Sequence, residues 1–348
     1  MSAADLVAGL LWLSLTAYAV LAGADFGGGA WDLFASGPRA AEQRSAVAEA
    51  MGPVWEANHV WLIFMITGLF TAFPVTFGVL GLALFLPFTI AMIGIVFRGA
   101  SFAFRAHGRD AVGPRSPWGV MFGAASVVTP FFLGTTVAAV ASGAIRAPHG
   151  QLASGFQEGW TTPLAILLGL FALSIAAYLA ATYLMVENEH RPALLADFRR
   201  RAIAAGFVSG VLALTAFAVA VVEAPRLVQA LTGRGLPLFV LALLNGPLAL
   251  WAVWRSRPRI ARAAVIAQVV FVLWAWAVGQ WPYLVPPDLT ISGTAAPDAT
   301  LSAMLVVITI GGLILLPSLW LLFRVFKARN PQADVEAGQE VGSITTGL

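Results

Sequence analysis

The stretch Leu6–Leu33 reads LVAGLLWLSLTAYAVLAGADFGGGAWDL and carries only two charged side chains, Asp25 and Asp32. About 20 apolar residues let a helix cross the roughly 30 Å hydrocarbon core of a bilayer. The stretch therefore reads as a membrane span. No basic region precedes it and no small-residue cleavage site follows, so it reads as a retained first helix rather than a removable signal. Working outward, eight further apolar runs meet the same test: Gly52–Ala72, Val75–Phe104, Pro117–Gly143, Thr161–Val186, Ile203–Glu223, Leu236–Trp254, Ile260–Pro282 and Thr300–Phe326. The second and third are separated only around Phe73-Pro74, which predicts a tight membrane hairpin. Pro130, Pro247 and Pro317 fall inside spans, where neighbouring helices can satisfy the carbonyls that a proline frees.

Composition agrees. The 348 residues are 59% hydrophobic and 11% charged, whereas a soluble domain has about a quarter of its residues charged. There is no cysteine, which excludes disulfides, thiolate metal sites and thiol catalysis. Seventeen of the 20 basic residues fall in alternate loops, and only Arg146, Arg226 and Arg234 fall on the opposite side. Positive residues stay cytoplasmic, so nine spans place the N-terminus outside and the C-terminus inside. The basic character follows from topology and implies no nucleic-acid partner. Residues 1–330 read as a single transmembrane helical domain, and 331–348, small and acidic, as a disordered cytoplasmic tail.

Acids at membrane depth are costly and usually face protein or water, where they carry protons or ions. Asp25 lies in Gly23-Ala24-Asp25-Phe26-Gly27-Gly28-Gly29, and Glu56 in Pro53-Val54-Trp55-Glu56-Ala57-Asn58-His59-Val60-Trp61. At about 1.5 Å per residue, Asp25 is near the inner end of the first helix. Glu56 is about one turn into the second, and Arg98 closes the third, so all three share one depth. Glu56 and His59 are three apart, on one helix face, a spacing that suits a proton relay as well as a structural pair. Arg98 can pair with Asp25 or with Glu56, and Arg105 reaches for lipid headgroups. Gly23 and Gly27, four apart, let another helix approach closely. His107, His149 and His190 fall in loops or at span ends, so no pair of histidines within the bilayer can ligate a haem. Asn245, Gln268 and Gln280 read as helix-to-helix hydrogen-bonding groups, and most tryptophans as interfacial anchors.

The two acidic motifs, with Phe97-Arg98-Gly99, Ala181-Thr182-Tyr183-Leu184 and Trp281-Pro282-Tyr283-Leu284-Val285-Pro286, resemble subunit II of the cytochrome bd-type quinol oxidases. The pattern departs at Ala22, where a second acid often stands, and at Glu56, where aspartate is common. The resemblance implies an all-α polytopic fold of nine transmembrane helices in two four-helix bundles plus one peripheral helix. It also implies a place in the bacterial cytoplasmic membrane, in a complex that oxidises quinol and reduces dioxygen to water. Haem b and haem d are expected on the larger subunit I, with no cofactor or metal ligated by this chain. A small accessory single-helix subunit and membrane lipid are further expected partners. Glu56 and Asp25 would form a proton route from the cytoplasm, supported by Arg98, Trp55, Asn58 and His59. A stand-alone proton-coupled transporter or channel would instead carry inverted repeats and broken helices near the midplane. A scaffold with incidental acids is the third reading.

Overall fold

A computed structural model describes residues 2–107 and 117–328, with the backbone alone for 51–57, 105–107, 316, 319 and 322–328. The chain is overwhelmingly helical: α1 (Ala3–Leu33), α2 (Ala40–Ala72), α3 (Pro74–Ala83), α4 (Phe85–His107), α5 (Pro117–Ser142), α6 (Pro163–Glu187), α7 (Pro192–Glu223), α8 (Pro225–Thr232), α9 (Leu236–Trp254) and α10 (Pro258–Gln280). A two-stranded antiparallel hairpin, β1 (Tyr283–Val285) and β2 (Leu289–Thr290), leads to the short α11 (Ile291–Thr294), and α12 spans Asp298–Ala328. Among the described residues, eight helices are long and apolar enough to cross a membrane, or up to nine if the bent pair α2–α3 counts as one span. The chain is a multi-pass membrane protein. It divides into two compact units, Met1–Ala296 and Pro297–Leu348. The second contributes α12, an apolar helix with Pro317 inside it. The tail 331–348 lies outside the described residues.

Local chemistry sets the helix ends. Ser2 and Asp5 form a reciprocal cap at the start of α1, with Ser2 N donating to Asp5 Oδ2 at 2.8 Å and Asp5 N to Ser2 Oγ at 3.2 Å, which satisfies two amides that a helix start leaves free. Proline opens α3, α6, α7, α8 and α10, where its missing N–H costs nothing. Thr162 caps α6, and Glu223 at the end of α7 accepts from Leu164 N at 3.0 Å.

The predicted hairpin is corrected. The expected third span is broken at Leu84, and Pro74 begins a separate ten-residue helix bent 118° from α2. Pro74 has no N–H to continue the ladder and disfavours helical backbone at Phe73. The break frees the Ala72 carbonyl, which accepts from Ala296 N at 2.8 Å, while Thr76 Oγ1 donates to Thr294 Oγ1 at 3.0 Å. Among the described residues, most of the packing of α2 is on α1 and most of that of α4 is on α5. The sixth span is also longer than expected. Its helix begins at Pro192 rather than Ile203 and carries Asp197 and Arg199–Arg201 on its first turns.

In the first unit, α1 is central, against α2, α5 and α6. The α6, α7, α9 and α10 helices enclose a core with Leu179, Leu184, Met185, Phe198, Val253 and Val265 at its centre. A Cβ at Gly27 would overlap the Ala176 carbonyl, so this glycine sets how closely α1 and α6 approach. Asn245 joins α9 to α10 by donating to Ala264 O at 2.7 Å and Gln268 Oε1 at 3.1 Å. Trp12 packs against the protein, its ring meeting Trp276 edge-on at 4.9 Å and its Nε1 buried.

Candidate functional site at a buried ion pair

The glycine-rich turn of α1 carries Asp25 into the contact with α4 and α5. Asp25 is 1% exposed and Arg98 3%. Arg98 grips both carboxylate oxygens, with Nη1 to Oδ2 and Nη2 to Oδ1 each at 2.6 Å, and Nη2 also donates to the Asp25 carbonyl at 3.0 Å. Its Nε donates to Ser126 Oγ at 2.9 Å, and Ser126 Oγ donates in turn to Phe122 O at 2.7 Å. The guanidinium lies between the rings of Phe122 and Phe26, 4.6 and 5.1 Å from their centroids. Asn58 on α2 completes the group by donating to Asp25 Oδ2 at 2.9 Å. A bidentate pair in which every guanidinium nitrogen makes a hydrogen bond is the arrangement in which buried charges are tolerated. Four helices, α1, α2, α4 and α5, are fastened at this one point.

Of the two pairings open to Arg98, the structure therefore contains the one with Asp25. His59, next to Asn58 and half-buried, is within electrostatic range of Asp25. The side chains of Glu56, Trp55 and Arg105 lie outside the described residues, and the backbone places Glu56 and Trp55 on α2 within a turn of Asn58. Ser126 is not found from acids and arginines alone, although a serine three residues before Thr129 in a helix free of charged residues is a visible signal.

Around the pair are polar atoms with spare capacity. Asn58 Oδ1, Ser101 Oγ and Thr129 Oγ1 are buried and have no hydrogen-bond partner among the described residues. Ser101 lies one turn beyond Arg98 on α4, and Thr129 one turn beyond Ser126 on α5, packed against Gly94. Buried polar groups of this kind are ordinarily satisfied by internal water. The site thus combines a neutralised ion pair with atoms able to hold water in an otherwise apolar interface.

A second polar cluster closes the same end of α1. Arg39 holds Asp197 through Nε and Nη2 at 2.8 and 2.7 Å, and Gln43 adds a bond to Asp197 at 3.0 Å. Arg201 donates to Gln43 Oε1 at 2.6 Å and to the Trp31 carbonyl at 3.3 Å, which satisfies an acceptor that a helix end leaves open. Arg39 and Arg201, which the loop count treats only as markers of sidedness, therefore also build structure. Among the described residues, no group of three or more histidine, cysteine, aspartate or glutamate side chains could hold a metal ion.

Comparison with known proteins places this geometry in a family. The chain is similar to the putative cytochrome bd menaquinol oxidase subunit II of Bacillus subtilis, 22% identical over 329 residues that cover 91% of this chain and 93% of that one. The cytochrome bd ubiquinol oxidase subunit 2 of the same organism is 33% identical over 130 residues, covering 36% and 37%. The cytochrome bd-I ubiquinol oxidase subunit 2 of Escherichia coli K12 is 24% identical over 215 residues, covering 61% and 54%. The fold matches a chain in the structure of bd oxidase from Geobacillus thermodenitrificans with a TM-score of 0.73 at 22% identity, over 95% of this chain and 100% of that chain. The family model for cytochrome bd terminal oxidase subunit II matches residues 3–326, and the chain belongs to that family.

Proposed function

We propose that this chain supports a haem-bearing subunit I in oxidising quinol and reducing dioxygen to water, and that it feeds protons from the cytoplasm through Glu56 and past Asp25. On this reading the N-terminus is outside and the C-terminus inside the bacterial cytoplasmic membrane, as the arginine distribution favours. Haem b and haem d on subunit I supply the redox chemistry, and the quinol donor binds there as well. A small accessory single-helix subunit belongs to the same picture.

Within this chain the roles divide by chemistry. Asp25 is a fixed charge, neutralised by Arg98 and held by Asn58, and it sets the potential in its surroundings without moving a proton over distance. Glu56 has the titratable carboxyl that accepts and passes on the proton. Trp55, Asn58 and His59 pack or hydrogen-bond around it. One observation carries the reading: buried polar atoms with no partner among the described residues lie on the helices that meet at a charge-balanced pair. Waters held by such atoms form the path a proton needs through an apolar interface.

The test is Glu56→Gln in the assembled complex. Loss of a proton-transferring group costs on the order of 10²-fold or more in rate. Oxygen consumption should fall and lose its dependence on pH, with haem content kept. Unchanged turnover would remove Glu56 from the route.

A further inference from the structure

Basic side chains crowd the end of the molecule where α6 turns into α7 and α9 into α10, and three of them already face an acid. Arg191 is 3.6 Å from Glu49, Arg259 3.2 Å from Glu189 and Arg262 3.7 Å from Glu187. Arg255 and Arg257 differ. Both are exposed, and neither is paired with a carboxylate among the described residues. Each guanidinium lies over an indole instead, Arg255 over Trp254 at 5.8 Å and Arg257 over Trp251 at 5.7 Å from the ring centroid. These tryptophans sit on the last turn of α9 and are 41% (Trp251) and 66% (Trp254) exposed, as residues at the depth of lipid headgroups are. The turn that carries both arginines is held by Ser256, at φ 51, whose Oγ accepts from Arg199 Nη1 at 2.7 Å. A third guanidinium is thereby brought to the same place.

We infer that the α9–α10 turn binds the headgroup of an anionic phospholipid, with its phosphodiester between Arg255 and Arg257 and Arg199 at the edge. Guanidinium groups match phosphate oxygens in pairs, and basic residues beside a membrane helix attract anionic lipid. The apolar requirement is met as well. Leu244, Leu248 and Trp251 form an exposed stripe leading up α9 to the arginines, a track for an acyl chain that a soluble anion could not use.

Native mass spectrometry of the assembled complex, with phosphatidylglycerol or phosphatidylcholine added at equal concentration, tests this. The unmodified complex should retain phosphatidylglycerol in preference. The double variant Arg255→Gln/Arg257→Gln should retain roughly 30-fold less, the order expected for two surface cations. Arg259→Gln, whose guanidinium already faces Glu189, should retain as much as the unmodified complex. Equal retention of both lipids, no loss in the double variant, an equal loss in Arg259→Gln, or displacement by inorganic phosphate would each overturn the proposal. Should the double variant fail to assemble, a diazirine-bearing phosphatidylglycerol added to the unmodified complex decides the matter. Labelling concentrated in residues 244–262 supports the site, and labelling spread over the other helices overturns it.

Discussion

Two carboxyl oxygens and one guanidinium organise the first half of the molecule. Removing Arg98 leaves Asp25 as an uncompensated buried charge, which costs about 3–5 kcal/mol. Arg98→Gln should therefore lower the yield of assembled complex and its thermal stability, measured by fluorescence-detected size exclusion on heating. Asp25→Asn combined with Arg98→Gln removes both charges and should cost less than the two single losses added together. Simple additivity would show that the pair does not act as a unit. The glycines offer a sharper contrast. Gly27→Ala drives a methyl group into the Ala176 carbonyl and should cost about 1–3 kcal/mol, while Gly23→Ala meets only the flexible end of Leu179, 2.9 Å away. In the same melting assay, Gly27→Ala should be impaired and Gly23→Ala close to unaltered. The sequence identified Asp25, Arg98 and both glycines from residue type and depth. It left Arg98 with two possible partners, because the choice depends on how helices far apart in the chain rotate against one another.

At the scale of elements, the elbow between α2 and α3 depends on segments far along the chain. The segments at that end build a small core of their own, in which Val79, Ala83 and Leu84 meet Ile145, Ala147, Val285 and Leu289. Asp288 ties the loop after α5 to the loop after α10 by accepting from Arg146 Nε and Nη2 at 2.9 and 3.1 Å and from Ala147 N at 2.8 Å. The hydrogen bond from Arg146 holds the Asp288 carboxyl below its usual value. A carboxyl depressed in the folded state stabilises it above the unfolded pKa of about 3.9 and loses that contribution as pH falls through the lower folded value. Hydrogen exchange of residues 144–150 and 283–290, corrected for intrinsic rates, should therefore be flat from neutral pH to about pH 5 and rise only in stronger acid. In Asp288→Asn it should already be raised at neutral pH. A rise near pH 6 in the unmodified chain would assign control of these loops to another group. The proline at 74 was plain in the sequence as a break. Its angle, and the loop that satisfies the freed Ala72 carbonyl, were not, because the partner, Ala296, lies more than two hundred residues away.

At the scale of the whole molecule, the chain is one part of an oxidoreductase complex. Expressed alone it should consume no oxygen, and isolated from its native membrane it should bring a haem-bearing partner with it. An absorption spectrum with haem counted per chain checks both, and turnover by the isolated chain would favour an autonomous activity. The sequence by itself determined that the protein is helical and crosses a membrane, because the cost of placing unpaired backbone groups or bare charges in hydrocarbon leaves little else open to runs this long and apolar. It also placed Asp25 and Arg98 at one depth, because helical rise is fixed. Only the tertiary structure decided that Asp25 takes Arg98 and Asn58 from other helices, that Ser126 completes the group, and that α2 turns away at Pro74. Those outcomes follow from side-chain geometry between segments distant in sequence, and no local pattern of residues encodes it.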